Sequence, residues 1–414
     1  MNPKNMINAC TDEEMGLKGS LFTGLLVPSN VRLPGIHGLR AMAALIVLFT
    51  HVGAIIQMMG YRPPNISLIE LLYNIGVTGV HLFFVLSAFS LANSTTLTPD
   101  GIAEYGIKRF FRIAPLYYAM IIFQLIWRGP AGVESHGIPE IFLNFVFLFN
   151  LAPKLSTGIV YGGWTIGVEM IFYAVLPFVL LVCRKTRGMI ILAAFGLLIS
   201  WAAHVGISDS DPAAQLSPFT NYATFSFLTN IAPFCVGLLA FRLYKEFAFS
   251  VAAARIFTVL SIILFVAIIF SPISNQFGTS GRPALLVLFI IYGLLSLSQS
   301  ISPSLLTSNV VMQHIGERSF SVYLVQLPVI WMIAPLYSRI LNYMGGYTLY
   351  SYLACTALTL PIVLFVANLT YHLVEIPGVN IGRTIIAKRR DRFRARLRHS
   401  APAGSSQRNP DDCG

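Results

Sequence analysis

The sequence predicts an all-α fold, a polytopic helical bundle in a membrane, on three observations. Hydrophobic residues make up 55% of the 414 positions and charged residues only 11%, where soluble domains carry roughly a quarter charged residues. The mean hydropathy is +0.70. Apolar stretches recur along most of the chain, each near the ~20 residues that cross a hydrocarbon core of about 30 Å.

About ten spans follow in order: 36–58, 71–93, 113–127, 164–183, 188–206, 221–243, 251–270, 283–300, 319–340 and 348–371. The third is short and is expected to extend at one end. Segment 138–151, "IPEIFLNFVFLFNL", is too short to cross and reads as interfacial or re-entrant. With both termini in the cytoplasm, 22 Lys and Arg fall on inside segments and 5 on outside ones, Arg40 lying within the first span. That is the positive-inside bias. The expected organisation is a cytoplasmic segment 1–33, a transmembrane domain 34–382, and a basic cytoplasmic tail 383–414, disordered at its end. Residues 1–30 carry Asp12, Glu13 and Glu14 but no basic start, apolar core and cleavage site, so no removable signal peptide is expected. The net charge of +11 is concentrated in the inside segments and tail, which suits anionic lipid rather than nucleic acid. Cys10, Cys183, Cys235, Cys355 and Cys413 are scattered without a CxxC pair, so neither a disulfide framework nor a metal site is expected.

Ionisable residues within spans are expensive and are functional candidates for that reason. Arg40 and His51 sit in "GLRAMAALIVLFTH", eleven residues and about three turns apart, so they share one helix face roughly 16 Å apart along the axis. Glu169, in "GGWTIGVEMIFYAVLPF" (162–178), is about five residues into a span that runs inward. Counted from the outer surface, it shares its depth with His51. A carboxylate beside an imidazole fixes its tautomer and raises its basicity, which suits a general base. Lys108, Arg109 and Arg112, in "GIKRFFRIAPLYY" (106–118), stand at the cytoplasmic mouth of the third span. Arg40 is at the same level. Guanidinium forks match phosphate oxygens. The pattern therefore has two poles, a basic mouth inside and a His/Glu pair near the outside. A coenzyme A thioester, with phosphates and a long arm, has the shape to lie between them.

Each group also has a plainer reading. The three cations of 108–112 also serve as topology determinants. Glu169 also reads as a satisfied structural carboxylate, and His51 as a helix–helix hydrogen bond. His37 lies at the interface, His81 near mid-membrane needs a partner, and Ser87 and Ser90 can bond back to their own helix.

Six blocks in order resemble the acyltransferase family 3 membrane proteins. "GLRAMAALIVLFTH" matches the opening Arg, ten residues, then His. "GVHLFFVLSAF" (79–89), "KRFFRIAPLYY" (108–118), "GWTIGVEMIFY" (163–173), "IGERSFSVYLVQLPV" (315–329) and the closing "YHLVEIPGVNIG" (371–382), with Glu375 and Pro377, follow. The resemblance implies transfer of an acyl group, commonly acetyl from acetyl-CoA, to a glycan hydroxyl of the envelope, in the cytoplasmic (inner) membrane. It implies His51 as the base with Arg40 essential nearby, Arg109 and Arg112 as the cytoplasmic arginine pair, and Glu169 as the glutamate of the fourth block. Four positions depart from the family's usual residues: His37 for Asp, Ala88 for Gly, Thr165 for Ser and Gln326 for His. Gln326 exchanges hydrogen bonds but cannot titrate. The rival class is a proton-coupled transporter or flippase of a glycan or lipid precursor, which uses the same buried ionisable residues. A non-catalytic membrane sensor is a third reading. The acceptor, the acyl chain and the oligomeric state are not written in the sequence.

Overall fold

The computed structural model describes residues 33–62, 68–95, 97–210, 222–270 and 282–400. The expected N-terminal segment, up to residue 32, and the end of the tail, 401–414, lie outside the described residues. In chain order the helices are α1 (Pro34–Met58), α2 (Leu68–Ser94), α3 (Pro99–Ser135), α4 (Ile138–Phe145), α5 (Trp164–Val182), α6 (Thr186–Ser210), α7 (Tyr222–Phe225) and α8 (Ile231–Glu246). They continue with α9 (Val251–Ile269), α10 (Arg282–Ile301), α11 (Leu305–Ser308), α12 (Val310–Glu317), α13 (Ser319–Tyr343), α14 (Leu349–Thr370) and α15 (Ile376–Ser400). The described residues contain no strand. In hydrocarbon a helix satisfies its own backbone, and this all-helical content follows from that.

Among the described residues, eight helical stretches are long and apolar enough to cross a membrane, and Thr78–Ser94 of α2 is a shorter apolar one. The chain is thus a multi-pass membrane protein. The sequence reading of about ten spans differs in three places. The short third span begins earlier, since α3 starts at Pro99. The predicted span 221–243 is not one helix but α7, a 3-10 turn at Leu228–Asn230, and α8. Asn230 explains the break: its Nδ2 donates to the carbonyls of Thr224 at 2.8 Å and Ser226 at 2.9 Å. A side chain thereby satisfies groups that a continuous helix would pair internally. The last span does not end near 371. It passes through a π-helical turn, Tyr371–Glu375, into α15 and so carries the basic segment 383–400 as helix.

Helix α1 is the central element and packs against α2, α10, α11, α12, α13 and α14. Its proline start needs no partner for a missing N–H. Small residues let neighbours approach, which is how membrane helices gain packing energy without a hydrophobic drive. At Gly38 a Cβ would stand 1.9 Å from the Thr307 carbonyl oxygen, and at Gly316 one would stand 2.1 Å from that of His37. Helices α1 and α13 run parallel. At one end Gln313 Nε2 donates to Pro34 O at 2.7 Å, and at the other Tyr61 Oη donates to Asn342 Oδ1 at 2.8 Å. At the periphery, α9 exposes Ile256, Val259, Ile262, Ile263 and Val266, the surface expected of a lipid-facing helix.

Segment 138–151 forms α4 and a 3-10 turn, Phe149–Leu151, as its shortness implied. Asn144 is fully buried and holds this segment in place. Its Oδ1 accepts from Tyr117 Oη at 2.9 Å and from the Ile159 N–H at 3.0 Å. Phe149 fills the space beside Gly167, where a Cβ would meet its ring at 2.8 Å. Asn144→Ala strands two buried donors at about 1–3 kcal/mol each. Thermal unfolding of the purified protein should show a lowered midpoint, and an unchanged midpoint would contradict this anchoring role.

Candidate active site

Arg40 of α1, Ser87 of α2, Arg109 and Arg112 of α3, Glu169 and Tyr173 of α5, and Tyr323 of α13 line one open cleft. The aromatic rings of Phe83, Phe84 and Phe320 complete its wall. Five helices thus line one place, and three of them, α1, α3 and α5, deliver charge to it.

Helical spacing selects which cations enter. Positions 109 and 112 are three apart and share a face. Lys108 lies 100° round the helix from Arg109, and it turns outward. Its side chain is 51% exposed and pairs with Glu104 at 3.7 Å. The expectation that Lys108 belongs to the basic mouth is therefore corrected. Arg40, Arg109 and Arg112 do come together. The Nε atoms of Arg40 and Arg109 are buried and have no hydrogen-bond partner. Tyr105 supports Arg109, whose Cζ lies 6.0 Å from the ring centroid, and Tyr105 Oη donates to the Tyr173 carbonyl at 3.2 Å.

Glu169 belongs to this basic cleft and not to His51. Ser87 Oγ donates to Glu169 Oε1 at 2.6 Å. The Tyr173 hydroxyl, Arg40 and Arg109 are the other groups that act on this carboxylate. The predicted His51–Glu169 pair is therefore not formed. The error lies in counting depth from the start of α5. That helix does not begin at a membrane surface: Trp164, its first residue, already packs inside the bundle on Phe84 and Phe225, at 6.1 and 4.8 Å between ring centroids. The end of the preceding loop is tucked in at Ser156, Ile159, Val160 and Gly163, so five residues of helix carry Glu169 down to the arginine level.

His51 meets Gln326 instead. Gln326 is fully buried, and neither its amide nitrogen nor its amide oxygen has a hydrogen-bond partner; His51 Nδ1 also lacks one. Gln326 is three residues beyond Tyr323, about 4.5 Å further along α13, and Tyr323 lines the cleft. The arginine cleft and His51 are thus joined along α13. Sequence reasoning missed Ser87 as a partner for Glu169, although Ser87 was weighed as a self-capping hydroxyl. It also missed Tyr173, whose spacing of four from Glu169 on one helix face was readable. Of the other histidines, His81 is buried and packs against Phe84 and Phe289. Among the described residues no cluster of His, Cys, Asp or Glu has metal-binding geometry.

An apolar multi-helix bundle with three guanidinium groups and a carboxylate in one cleft is a polytopic membrane protein with a charged internal site. The chain belongs to the acyltransferase domain family, which matches residues 33–368, and it is an O-acyltransferase. It is 27% identical over 304 residues to a putative acetyltransferase of Acidianus two-tailed virus, covering 70% of this chain and 81% of that protein. It is 24% identical to nodulation protein 10 of Rhizobium leguminosarum bv. viciae, covering 87% of this chain and 98% of that one. It is 25% identical to a peptidoglycan O-acetyltransferase of Listeria monocytogenes, covering 74% of this chain but only 51% of that longer protein. No solved structure matches the chain.

Because Gln326 and not Glu169 adjoins His51, the two should act differently on the pH dependence of transfer. Glu169→Gln should leave the midpoint of the pH–rate profile in place even where the rate falls. Gln326→His should move it, by setting a second titratable ring beside the first. A profile displaced by Glu169→Gln and untouched by Gln326→His would restore the original pairing.

Proposed function

We propose that the protein transfers an acyl group, acetyl first among candidates, from acyl-CoA to a hydroxyl of an envelope or secreted glycan. The observation that carries this reading is the arginine cleft. Three guanidinium groups face one space, and the buried Nε atoms of Arg40 and Arg109 lack partners there. Unpaired buried donors are costly, and phosphate oxygens satisfy them with charge-assisted bonds. A nucleotide carrying phosphates and an acyl arm uses both the cleft and the line of α13 leading from Tyr323 to Gln326. In this reading the cleft opens to the cytoplasm of the cytoplasmic (inner) membrane, where acyl-CoA is made.

His51 is the catalytic base. It takes the proton of the acceptor hydroxyl, whose oxygen attacks the thioester carbonyl carbon. The new C–O bond forms, the C–S bond breaks, and the imidazolium returns the proton to the departing CoA thiolate. The Gln326 amide, beside the imidazole, supplies a hydrogen-bond donor for the negative charge that develops on the carbonyl oxygen. Glu169 offsets part of the cleft's positive charge, so that product CoA is released as well as bound. Glycans are favoured as acceptors because relatives are named for work on them: the Listeria enzyme for peptidoglycan, and an exopolysaccharide production protein of Rhizobium meliloti.

The test is ester-linked acyl groups on envelope glycans from cells carrying wild type, His51→Ala or no gene, with protein level measured alongside. One ester should disappear in both mutants while His51→Ala protein accumulates normally. Unchanged esters across all three strains would overturn the glycan acceptor. With purified protein, Arg40→Ala and Arg109→Ala should each weaken CoA binding by about tenfold, the loss of one charge-assisted contact. Equal CoA affinity in wild type and both variants would overturn the donor site.

A further inference from the structure

We propose that Glu375 and the C-terminal helix α15 are a positioning device for the donor arginines, so that the chain's end is part of the acyl-donor site. The inference rests on the reading that the arginine cleft holds the phosphates of an acyl-CoA donor. Three independent contacts carry it, at three levels along one pair of helices.

The first is Glu375 itself. It is 1% exposed, and both carboxylate oxygens are used. Oε1 accepts from Arg112 Nη1, and Oε2 accepts from Ser321 Oγ at 2.7 Å. Arg112 lines the cleft, with its side chain 29% exposed. Nη1 of the guanidinium is therefore fixed by Glu375, Nη2 donates to the Glu317 carbonyl at 3.4 Å, and the part of the side chain left exposed lines the cleft. A buried ion pair is weak evidence for stability, since desolvation consumes most of the attraction. What it supplies is direction, because a planar guanidinium held at its terminal nitrogens has a defined orientation. The carboxylate is delivered by the π-helical turn Tyr371–Glu375. Such turns are rare and are found mostly where a side chain has to be re-aimed.

The second contact is the packing of α15 on α3. Gly378 and Gly382 are four apart and share a face. A Cβ at Gly378 would stand 2.5 Å from Pro115 Cγ, and one at Gly382 would stand 2.9 Å from Phe111 Cβ. Phe111 and Pro115 are likewise four apart and bracket Arg112. The two glycines make a groove that seats the stretch of α3 carrying this arginine, in the manner of small-residue membrane contacts.

The third contact lies beyond the apolar region. Arg390 Nε and Nη2 bind Glu104 Oε1 and Oε2 at 2.5 and 2.6 Å, and Arg389 Nη2 binds Asp100 Oδ1 at 3.2 Å. Exposed pairs contribute little to stability, but a bidentate fork sets register. Arg109 thus lies between an outer clasp at 100–104 and the seat at 111–115, and Arg112 within that seat. The basic helix that reads as a lipid anchor is also the splint of the helix that carries them.

The experiment measures CoA binding by calorimetry to the full-length protein in detergent, with thermal unfolding of the same samples. Glu375→Gln keeps shape and the Ser321 bond but loses the charge that holds Arg112. It should weaken CoA binding by about tenfold with the unfolding midpoint little changed. In an Arg112→Ala background it should have no further effect, since the two residues act as one unit. Arg390→Glu should weaken CoA binding by about threefold, and adding Glu104→Arg should restore it. This swap is the decisive pair if Glu375→Gln protein does not fold. Full affinity in Glu375→Gln, additivity with Arg112→Ala, or no rescue by the swap overturns the proposal while wild type still binds CoA. Wild type that does not bind CoA brings down the donor reading, and this inference with it.

Discussion

The structure depends on keeping three guanidinium groups inside a helical bundle. A cation within a span is expensive, and Arg40, Arg109 and Arg112 share one cleft. Two carboxylates make this possible, each brought by a different part of the chain. Glu169 comes from α5 and is held by Ser87 of α2. Glu375 comes from the turn after α14 and is held by Ser321 of α13. Six helices are thereby tied to one electrostatic problem. Arg112 is held by Glu375 and by the Glu317 carbonyl, while the Nε atoms of Arg40 and Arg109 are left unpaired.

A second constraint sets the depth of the chemistry. The short segment around α4, pinned by Asn144 and Phe149, starts α5 on Trp164, which packs on Phe84 and Phe225. Glu169 is thereby lowered to the arginines, and the upper level around His51 is left to Gln326. The basic cleft and the imidazole then sit on one line along α13, separated by about one helical turn beyond Tyr323.

Membership of the acyltransferase domain family and the chain's multi-pass helical character were both readable from residues alone, because both rest on local signals. Apolar runs of membrane length need no tertiary information. The blocks that carry the resemblance lie at fixed intervals along the chain. The convergence of Arg40 with Arg109 and Arg112 was also readable, since positive-inside counting puts all three at one level. Helical phase alone could have removed Lys108, which stands 100° away from Arg109. The break at Asn230 and the helical continuation of 383–400 were harder. The first depends on side-chain bonds to carbonyls, and the second on α3 offering Glu104 and Asp100 to a helix nearly 300 residues later.

The sequence by itself determined the fold class, the family, and which ionisable residues lie within spans, because hydrophobicity and spacing act locally along the chain. Only the tertiary structure decided their partners. Glu169 pairs with Ser87 and the arginines, His51 faces Gln326, and Glu375 holds Arg112. Depth counted along one helix assumes that the helix starts at the membrane surface. Helix α5 starts on Trp164, packed inside the bundle, and that difference moves a carboxylate from one end of the site to the other.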